Sequence, residues 1–281
     1  MSVDHYENAS IASYWLPRRI RPAVVAIYRL ARYADALAVE ENHSPENRLT
    51  ALNTLDHAVH CAEHNQDIPD PHVKAVAPFM QKYHLAWSLW HSIFSAFKQD
   101  VTVHRYISHA HLLNYCSRSA NPMGRLLMPI YDLPNSHTQH ADALCTALQL
   151  IHFWQDIAID EAKGRRYLPD DDLIRAGLSL DLPLGDYVHH PSWLPLIEQQ
   201  LERAESLLFE SVPLLGVAQG RIRWKLALTA AGGARIIQKI RTVRGNIFAF
   251  RPSLGLADTP ILLYDAIQWI RRGSQAHDTT H

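Results

Sequence analysis

The sequence predicts an all-α fold, on three observations. Apolar residues recur at helical spacing, as in Val24, Ile27, Leu30, Ala31, Ala34, Leu37 and Ala38. No comparable stretch alternates with period two, which a half-buried strand would need. Segments carrying Pro, Gly, Asn or Asp punctuate the pattern where helices would end. A chain of 281 residues with 47% hydrophobic content can fill a sizeable core. Neither a linker, a repeat nor a low-complexity tract divides it, so residues 1–281 read as one domain, with flexible ends at about 1–10 and 273–281.

The first helix is expected from about Pro22 to Glu41, because Pro22 suits a first turn whose N–H has no helical partner anyway. A second follows Ser44-Pro45, with Ser44 as N-cap, and ends before Ile68-Pro69-Asp70-Pro71. Further helices are expected at about 72–99, 108–131, 137–163, 192–215, 219–242 and 258–272. Pro122 should kink or break the one at 108–131. The longest irregular piece, about 164–191, runs from Gly164 through the Leu182-Pro183-Leu184-Gly185 turn, with a short helix at Asp172–Ala176. A loop of that length in a compact domain covers a site or is disordered.

Lys plus Arg number 27 against 28 Asp plus Glu, which excludes a basic field able to recruit nucleic acid or an anionic membrane over long range. Any anion must be caught locally. The three cysteines, Cys61, Cys116 and Cys145, have no CxxC spacing and fit a reducing compartment, so a cytoplasmic location is expected. The N-terminal MSVDHYENAS has no basic stretch followed by an apolar one and no run approaches the roughly 20 apolar residues of a membrane span, so neither secretion nor membrane insertion is expected. The 18 histidines scatter, and each reads as an ordinary solvated side chain, His152 excepted.

The strongest chemical signal is the run from Gln149 to Asp160, in a helix otherwise rich in Leu, Ile and Trp. Asp156 and Asp160 stand one turn apart, with side chains about 6 Å from each other. Like charges that close repel unless a cation lies between them. Mg²⁺ suits the place, since it takes one or two carboxylates and completes its shell with water and substrate phosphate. A solvated acidic face is the plain alternative, but Phe153, Trp154, Ile157 and Ile159 surround the pair. On the first helix, Arg32, Asp35 and Glu40 cluster, although Glu40 at i+5 points about 140° away from Asp35. A third stretch, Tyr115 to Arg125, sets Tyr115, Arg118, Asn121 and Arg125 around the kink at Pro122, either as a simple interhelix loop or as a wall for an anionic ligand.

Together these stretches resemble the squalene/phytoene synthase family, and within it the hydroxysqualene synthase branch of bacterial hopanoid pathways. The resemblance covers most of the chain. It runs through His5-Tyr6-Glu7-Asn8, Leu16-Pro17-Arg18, Arg21-Pro22, Ile27-Tyr28-Arg29 with Arg32 and Asp35, and Ala96 to Thr102. It continues through Tyr115-Cys116, Ser119 to Arg125, Phe153 to Asp156 with Asp160, Lys163-Gly164-Arg165 with Tyr167-Leu168-Pro169, and Ala231-Gly232-Gly233.

The resemblance implies an isoprenoid synthase fold, with helices around a central apolar cavity and two facing acidic helices whose Mg²⁺ ions grip a prenyl diphosphate. It assigns Asp156 and Asp160 to the second acidic motif, Asp35 to the start of the first, Arg32 to the diphosphate, and Tyr115 to the cavity near the leaving group. Arg165 and Tyr167 match a flap that closes over the diphosphate. Asn121 and Arg125 are further candidates for that group, His152 and Glu40 further candidates for metal, and Phe153, Trp154 and Leu126 for the cavity lining. Some positions depart from the family pattern: Ala36 and Val39 replace carboxylates of the first motif, His152 replaces a metal-ligating Asn, Asn246 a Tyr, and Ala9 a Phe. Neutral His is a softer ligand than Mg²⁺ prefers.

The activity implied is ionisation of presqualene diphosphate and water capture, without NADPH, for which the sequence offers no GxGxxG fingerprint. Presqualene diphosphate synthase or phytoene synthase chemistry is the alternative. A third reading, from a different class, is a non-catalytic paralogue that binds a lipid or a sister synthase. Long apolar substrates also make loose association with the inner membrane and with sister enzymes of the pathway an expectation, although no basic amphipathic helix signals it.

Overall fold

A computed structural model describes residues 16–39 and 43–278. Glu40, the motif at His5 to Asn8, Ala9, the end expected to be flexible at 1–10 and residues 279–281 lie outside the described residues. Regular structure among the described residues is helical, apart from one isolated bridge between Arg105 and Arg166. The all-α expectation holds.

The α-helices in chain order are α1 (Arg21–Val39), α2 (Pro45–Glu63), α3 (Pro71–Lys82), α4 (Ser88–Thr102), α5 (His109–Ser119), α6 (Asn121–Ile130) and α7 (Thr138–Gln155). They continue with α8 (Ile157–Ala162), α9 (Asp170–Arg175), α10 (Trp193–Glu210), α11 (Val212–Val217), α12 (Gly220–Thr242) and α13 (Thr259–Asp278). Ser44 caps α2 as expected, its hydroxyl accepting the Asn47 N–H at 3.3 Å. Asp70 does the same for α3, accepting from His72 and Val73 at 2.8 and 3.0 Å, with Pro71 in the first turn.

Several expected helices are divided. The 72–99 helix breaks between α3 and α4, where His84 adopts a left-handed backbone (φ 51°) and the Leu85 N–H returns to Met80 O at 2.8 Å. The 108–131 helix breaks at Ala120, with Pro122 in the first turn of α6. The 137–163 helix loosens at Asp156, and the 192–215 helix ends at Ser211, whose hydroxyl caps the Leu208 carbonyl at 2.7 Å ahead of Pro213. The last helix runs beyond 272 to Asp278. The short helix in the long irregular segment is α9, two residues earlier than expected, accompanied by a 3₁₀ turn at Leu184–Tyr187.

The chain forms two compact units, one of residues up to 103 together with 118–138, the other of 104–117 together with 139 onward. In the first, α1 packs against α2, α3, α4 and α6. Ile27 and Leu30 of α1, Leu52 of α2, Val76 of α3, and Trp90 and Phe94 of α4 are all fully buried there. Across α2 and α4, Asp56 accepts from Lys98 at 2.6 Å and pairs with His91.

In the second unit, α13 lies along α11 and α12, and α10 packs on α12. Close approach is bought with missing side chains. A Cβ on Gly233 would meet Ile151 and Leu148 of α7 at 3.1 and 3.2 Å, and one on Gly273 would lie 2.8 Å from Leu215 Cβ and 2.9 Å from the Gly216 nitrogen. Among the described residues no helix is long and apolar enough to cross a membrane.

Candidate functional site

The second unit holds the residues with the clearest chemistry. Asp156 sits between α7 and α8 with φ −107° and ψ 11°, while its N–H still reaches His152 O at 3.0 Å and its carbonyl accepts the Asp160 N–H at 2.9 Å. The helix is therefore loosened at the carboxylate without losing direction. Asp156 is only 2% exposed. Arg251 donates from Nε to its Oδ1 at 2.7 Å, and His152 Nε2 lies 3.6 Å from its Oδ2. A buried carboxylate needs such partners, because desolvation without compensation costs several kcal/mol.

Asp160, one turn on, has its carboxyl pushed up to about 6, first by burial and then by the negative charge of Asp156, with Arg165 and Lys163 partly opposing. Gly164 ends α8 in the left-handed conformation (φ 73°), which lets the Arg165 N–H return to Asp160 O at 2.9 Å. That turn is why Arg165 lies close enough to act on the Asp160 charge.

Beyond it, the chain is stitched to residues 104–107. The Arg166 N–H reaches His104 O at 2.7 Å, Asp170 reaches Tyr106 O at 2.9 Å and Asp171 reaches Ile107 O at 3.0 Å. Tyr167 is thereby set among aromatic rings. It stacks on Phe153 at 3.8 Å between centroids with 10° between planes, and on Tyr106 at 5.5 Å. Tyr115 lies 5.6 Å from Tyr106, 6.2 Å from Phe153 and 6.3 Å from Tyr167. Trp154 turns an edge to Phe153 and is fully buried.

The long irregular segment is also pinned. The Arg166 guanidinium donates to the carbonyls of Leu180 and Leu182, both at 3.0 Å, and to Glu161 at 3.2 Å, and Glu161 accepts the Leu184 N–H at 2.8 Å. At its base, Asp172 accepts from Arg203 at 2.6 Å and from the buried Gln200 at 3.0 Å.

The remaining candidates belong to the first unit. Asp35 is buried on α1 with Arg32 half-buried one turn before it, while Ala36 is exposed and Val39 half-buried. On α6, Asn121 and Leu126 are buried and Arg125 is exposed.

The second unit thus brings together Asp156, His152, Asp160, Arg165, Tyr115, Phe153, Trp154 and Tyr167. It adds residues the sequence did not single out for this role: Arg251, Tyr106, Arg166 and Gln149. Gln149 is 5% exposed, one and two turns before Phe153 and Asp156, and its side-chain amide nitrogen has no hydrogen-bond partner among the described residues. An Arg-Pro pair at 251–252, in an otherwise irregular stretch, was the only visible sign of Arg251.

The Asp156 and Asp160 pair fits a hard divalent cation. Burial and the charge of Asp156 disfavour ionisation of Asp160, which a divalent cation between the two would relieve, and Mg²⁺ takes only one or two carboxylates. No group of three or more His, Cys, Asp or Glu side chains among the described residues could hold an ion by itself. The remaining ligands would therefore be water and phosphate oxygens.

The helical fold is that of the isoprenoid synthases, and a solved structure bears this out. The chain is similar to squalene synthase HpnC from Alicyclobacillus acidocaldarius, with a TM-score of 0.79 and 30% identity over 86% of this chain and 91% of that one. It is 30% identical over 211 residues to a hydroxysqualene synthase of Zymomonas mobilis, covering 73% of this chain and 68% of the relative. It is also 30% identical over 182 residues to that organism's presqualene diphosphate synthase, covering 62% of each. The squalene/phytoene synthase family profile matches residues 3–258. The chain belongs to the squalene/phytoene synthase family, whose members are isoprenoid enzymes.

Proposed function

We propose that the protein ionises presqualene diphosphate and captures the rearranged cation with water, releasing hydroxysqualene and diphosphate. The observation that carries this reading is the proximity of two opposite environments in one unit. The carboxylate pair Asp156 and Asp160 adjoins the stacked rings of Phe153, Tyr167, Tyr106 and Tyr115. A departing diphosphate needs cations, and the carbocation left behind needs an apolar, π-rich and water-poor wall. The similarity to a hydroxysqualene synthase supports the choice of substrate.

Mg²⁺, when bound, would supply positive charge to the leaving diphosphate oxygens. Asp156 and Asp160 would hold it, with His152 beside Asp156, while Arg165 and Tyr167 would face the diphosphate. The roles expected by resemblance for Arg32, Asp35, Asn121 and Arg125 belong to the same proposal. The ester C–O bond breaks with both electrons leaving on oxygen; the cyclopropylcarbinyl cation rearranges; a water oxygen adds and sheds one proton. No hydride is consumed, so the reaction needs no NADPH.

The similarity to a presqualene diphosphate synthase supports a second reading, head-to-head joining of two allylic diphosphates. Loss of carboxylates at Ala36 and Val39 weighs against it, because two diphosphates then compete for fewer acidic ligands. Purified protein with Mg²⁺ is incubated separately with presqualene diphosphate and farnesyl diphosphate, without NADPH, and products are identified by mass spectrometry. Hydroxysqualene from presqualene diphosphate is the expected result. Presqualene diphosphate or phytoene-type products from the shorter precursors would establish the second reading instead, and no turnover would turn the substitutions at Val39 and His152 into evidence for a non-catalytic paralogue that binds a lipid or a sister synthase.

A further inference from the structure

We propose that residues 250–256 and the outward side of α13 form a docking face for an anionic lipid bilayer. Seven large apolar side chains are exposed within 18 consecutive residues: Phe250, Leu254, Leu256, Ile261, Leu263, Tyr264 and Ile267. Leu256 is 94% exposed, and Phe250 and Tyr264 are 65% and 63% exposed. Single exposed apolar residues are ordinary, but a run of them is not.

A surface helix normally turns its charged side to water. α13 buries Ala266, Trp269 and Gly273 while exposing Pro260, Tyr264, Ile267 and Arg271, positions that follow one another along a single face. The first three turns of that outward side carry apolar groups, and the only acid in them, Asp265, is half-buried. Arginine follows, at Arg271 and Arg272, both exposed and in no ion pair among the described residues. Arg272 lies over the rings of Phe209 and Trp269, at 5.3 and 5.6 Å. Asp258, at the start of the helix, is matched by two cations, Arg235 at 2.9 Å and Lys239 at 2.6 Å.

Apolar side chains bordered by uncompensated cations suit the interface of a bilayer containing acidic lipids. A second copy of the chain suits it less well, because the face offers no exposed acid between 250 and 272 to meet the arginines of the other copy.

The face is continuous with the site. Arg251 holds Asp156 at 2.7 Å and the Pro252 carbonyl accepts from Gln155 at 2.6 Å, so the segment that exposes Phe250, Leu254 and Leu256 is tied on its other side to the acidic helix. The surface stands on its own geometry. Its purpose, transfer of a long apolar product directly into lipid, rests on the function proposed above.

The test is co-sedimentation of the full chain with vesicles of phosphatidylcholine alone and of phosphatidylcholine with phosphatidylglycerol. The same is done for a variant carrying Leu256→Glu, Tyr264→Glu and Ile267→Glu, and for one carrying Arg271→Gln and Arg272→Gln. Wild type should bind the acidic vesicles, the glutamate variant about tenfold more weakly, and the glutamine variant should lose the preference for acidic over neutral lipid. Circular dichroism and light scattering confirm fold and oligomeric state. Equal binding of wild type and the glutamate variant, or no binding by either, would overturn the proposal. So would a wild-type dimer that the glutamates dissociate, which would make this face a contact between copies. Turnover of detergent-dispersed substrate reads the proposed chemistry separately and should be unchanged in both variants.

Discussion

Arg251 and Asp156 form the most consequential pair in the second unit, because the acid is almost wholly buried and the base holds one of its oxygens at 2.7 Å. Replacing Arg251 with Gln removes the charge that compensates a buried carboxylate, for a destabilisation of about 1–3 kcal/mol that thermal or urea unfolding would measure. If Asp156 binds Mg²⁺ as proposed, added Mg²⁺ should restore part of that loss in Arg251→Gln. Asp156→Ala should retain the fold but lose about a thousandfold or more in turnover; near-normal turnover would refute the role given to Asp156. Asp160 offers a test by pH. Its carboxyl titrates at about 6 in the folded chain rather than at the usual 3.8, so the folded state favours the protonated form. The stability this contributes is complete below the unfolded value and is lost as pH rises through about 6. Asp160→Asn should therefore have the higher melting temperature of the two proteins above neutral pH without metal, and the gap should close towards about pH 4. A gap that persists in acid would mean that Asp160 is not the group responsible. At this scale the sequence was informative where spacing carries meaning: Asp156 and Asp160 stand out at i and i+4. It was silent on Arg251, whose partner is 95 positions away, and on Tyr106, which joins the aromatic wall only once the chain at 166–171 is bonded to 104–107.

Two glycines serve the helices in different ways, Gly273 by letting α13 approach α11 and Gly164 by turning the chain at the end of α8, and their substitutions should differ accordingly. A Cβ at Gly273 would meet the backbone nitrogen of Gly216 at 2.9 Å and Leu215 Cβ at 2.8 Å, neither of which can swing aside. Gly273→Ala must push α13 off α11 and should destabilise by about 1–3 kcal/mol, despite alanine's better helix propensity. Gly164 has open space around it and a left-handed backbone, so Gly164→Ala should cost only about 1–2 kcal/mol of local strain. Chemical denaturation compares the two; a larger loss for Gly164→Ala than for Gly273→Ala would contradict this ordering. The positions of helices were legible from apolar periodicity, and Ser44 and Pro122 marked a start and a break correctly. The break at 83–87 was not legible, because a histidine, His84, takes the left-handed place that glycine usually marks. The break at 211 had a sign in Pro213, although the apolar spacing runs on through it.

For the molecule as a whole, the charge balance limits how substrate arrives. With a formal net charge of −1, long-range attraction for a diphosphate is weak, and affinity must come from local contacts. Such a ligand binds the folded chain and not the unfolded one, so it raises stability by mass action: at a hundredfold excess over its Kd the gain is about 2.7 kcal/mol. For a chain of this size that is a rise of about 5 °C in Tm. An unreactive prenyl thiodiphosphate with Mg²⁺ should give that rise in wild type and little in Asp156→Ala. The analogue without Mg²⁺ should give a smaller one, because Asp156 and Asp160 would then repel the anion that the ion is proposed to draw in. Inorganic diphosphate with Mg²⁺ should fall between, since it fills the charged half of the site and leaves Phe153 and Tyr167 uncovered. If the analogue stabilises wild type equally with and without Mg²⁺, the paired acids do not act through a metal. The aromatic wall would then be the dominant binding surface, as a non-catalytic lipid-binding paralogue would require.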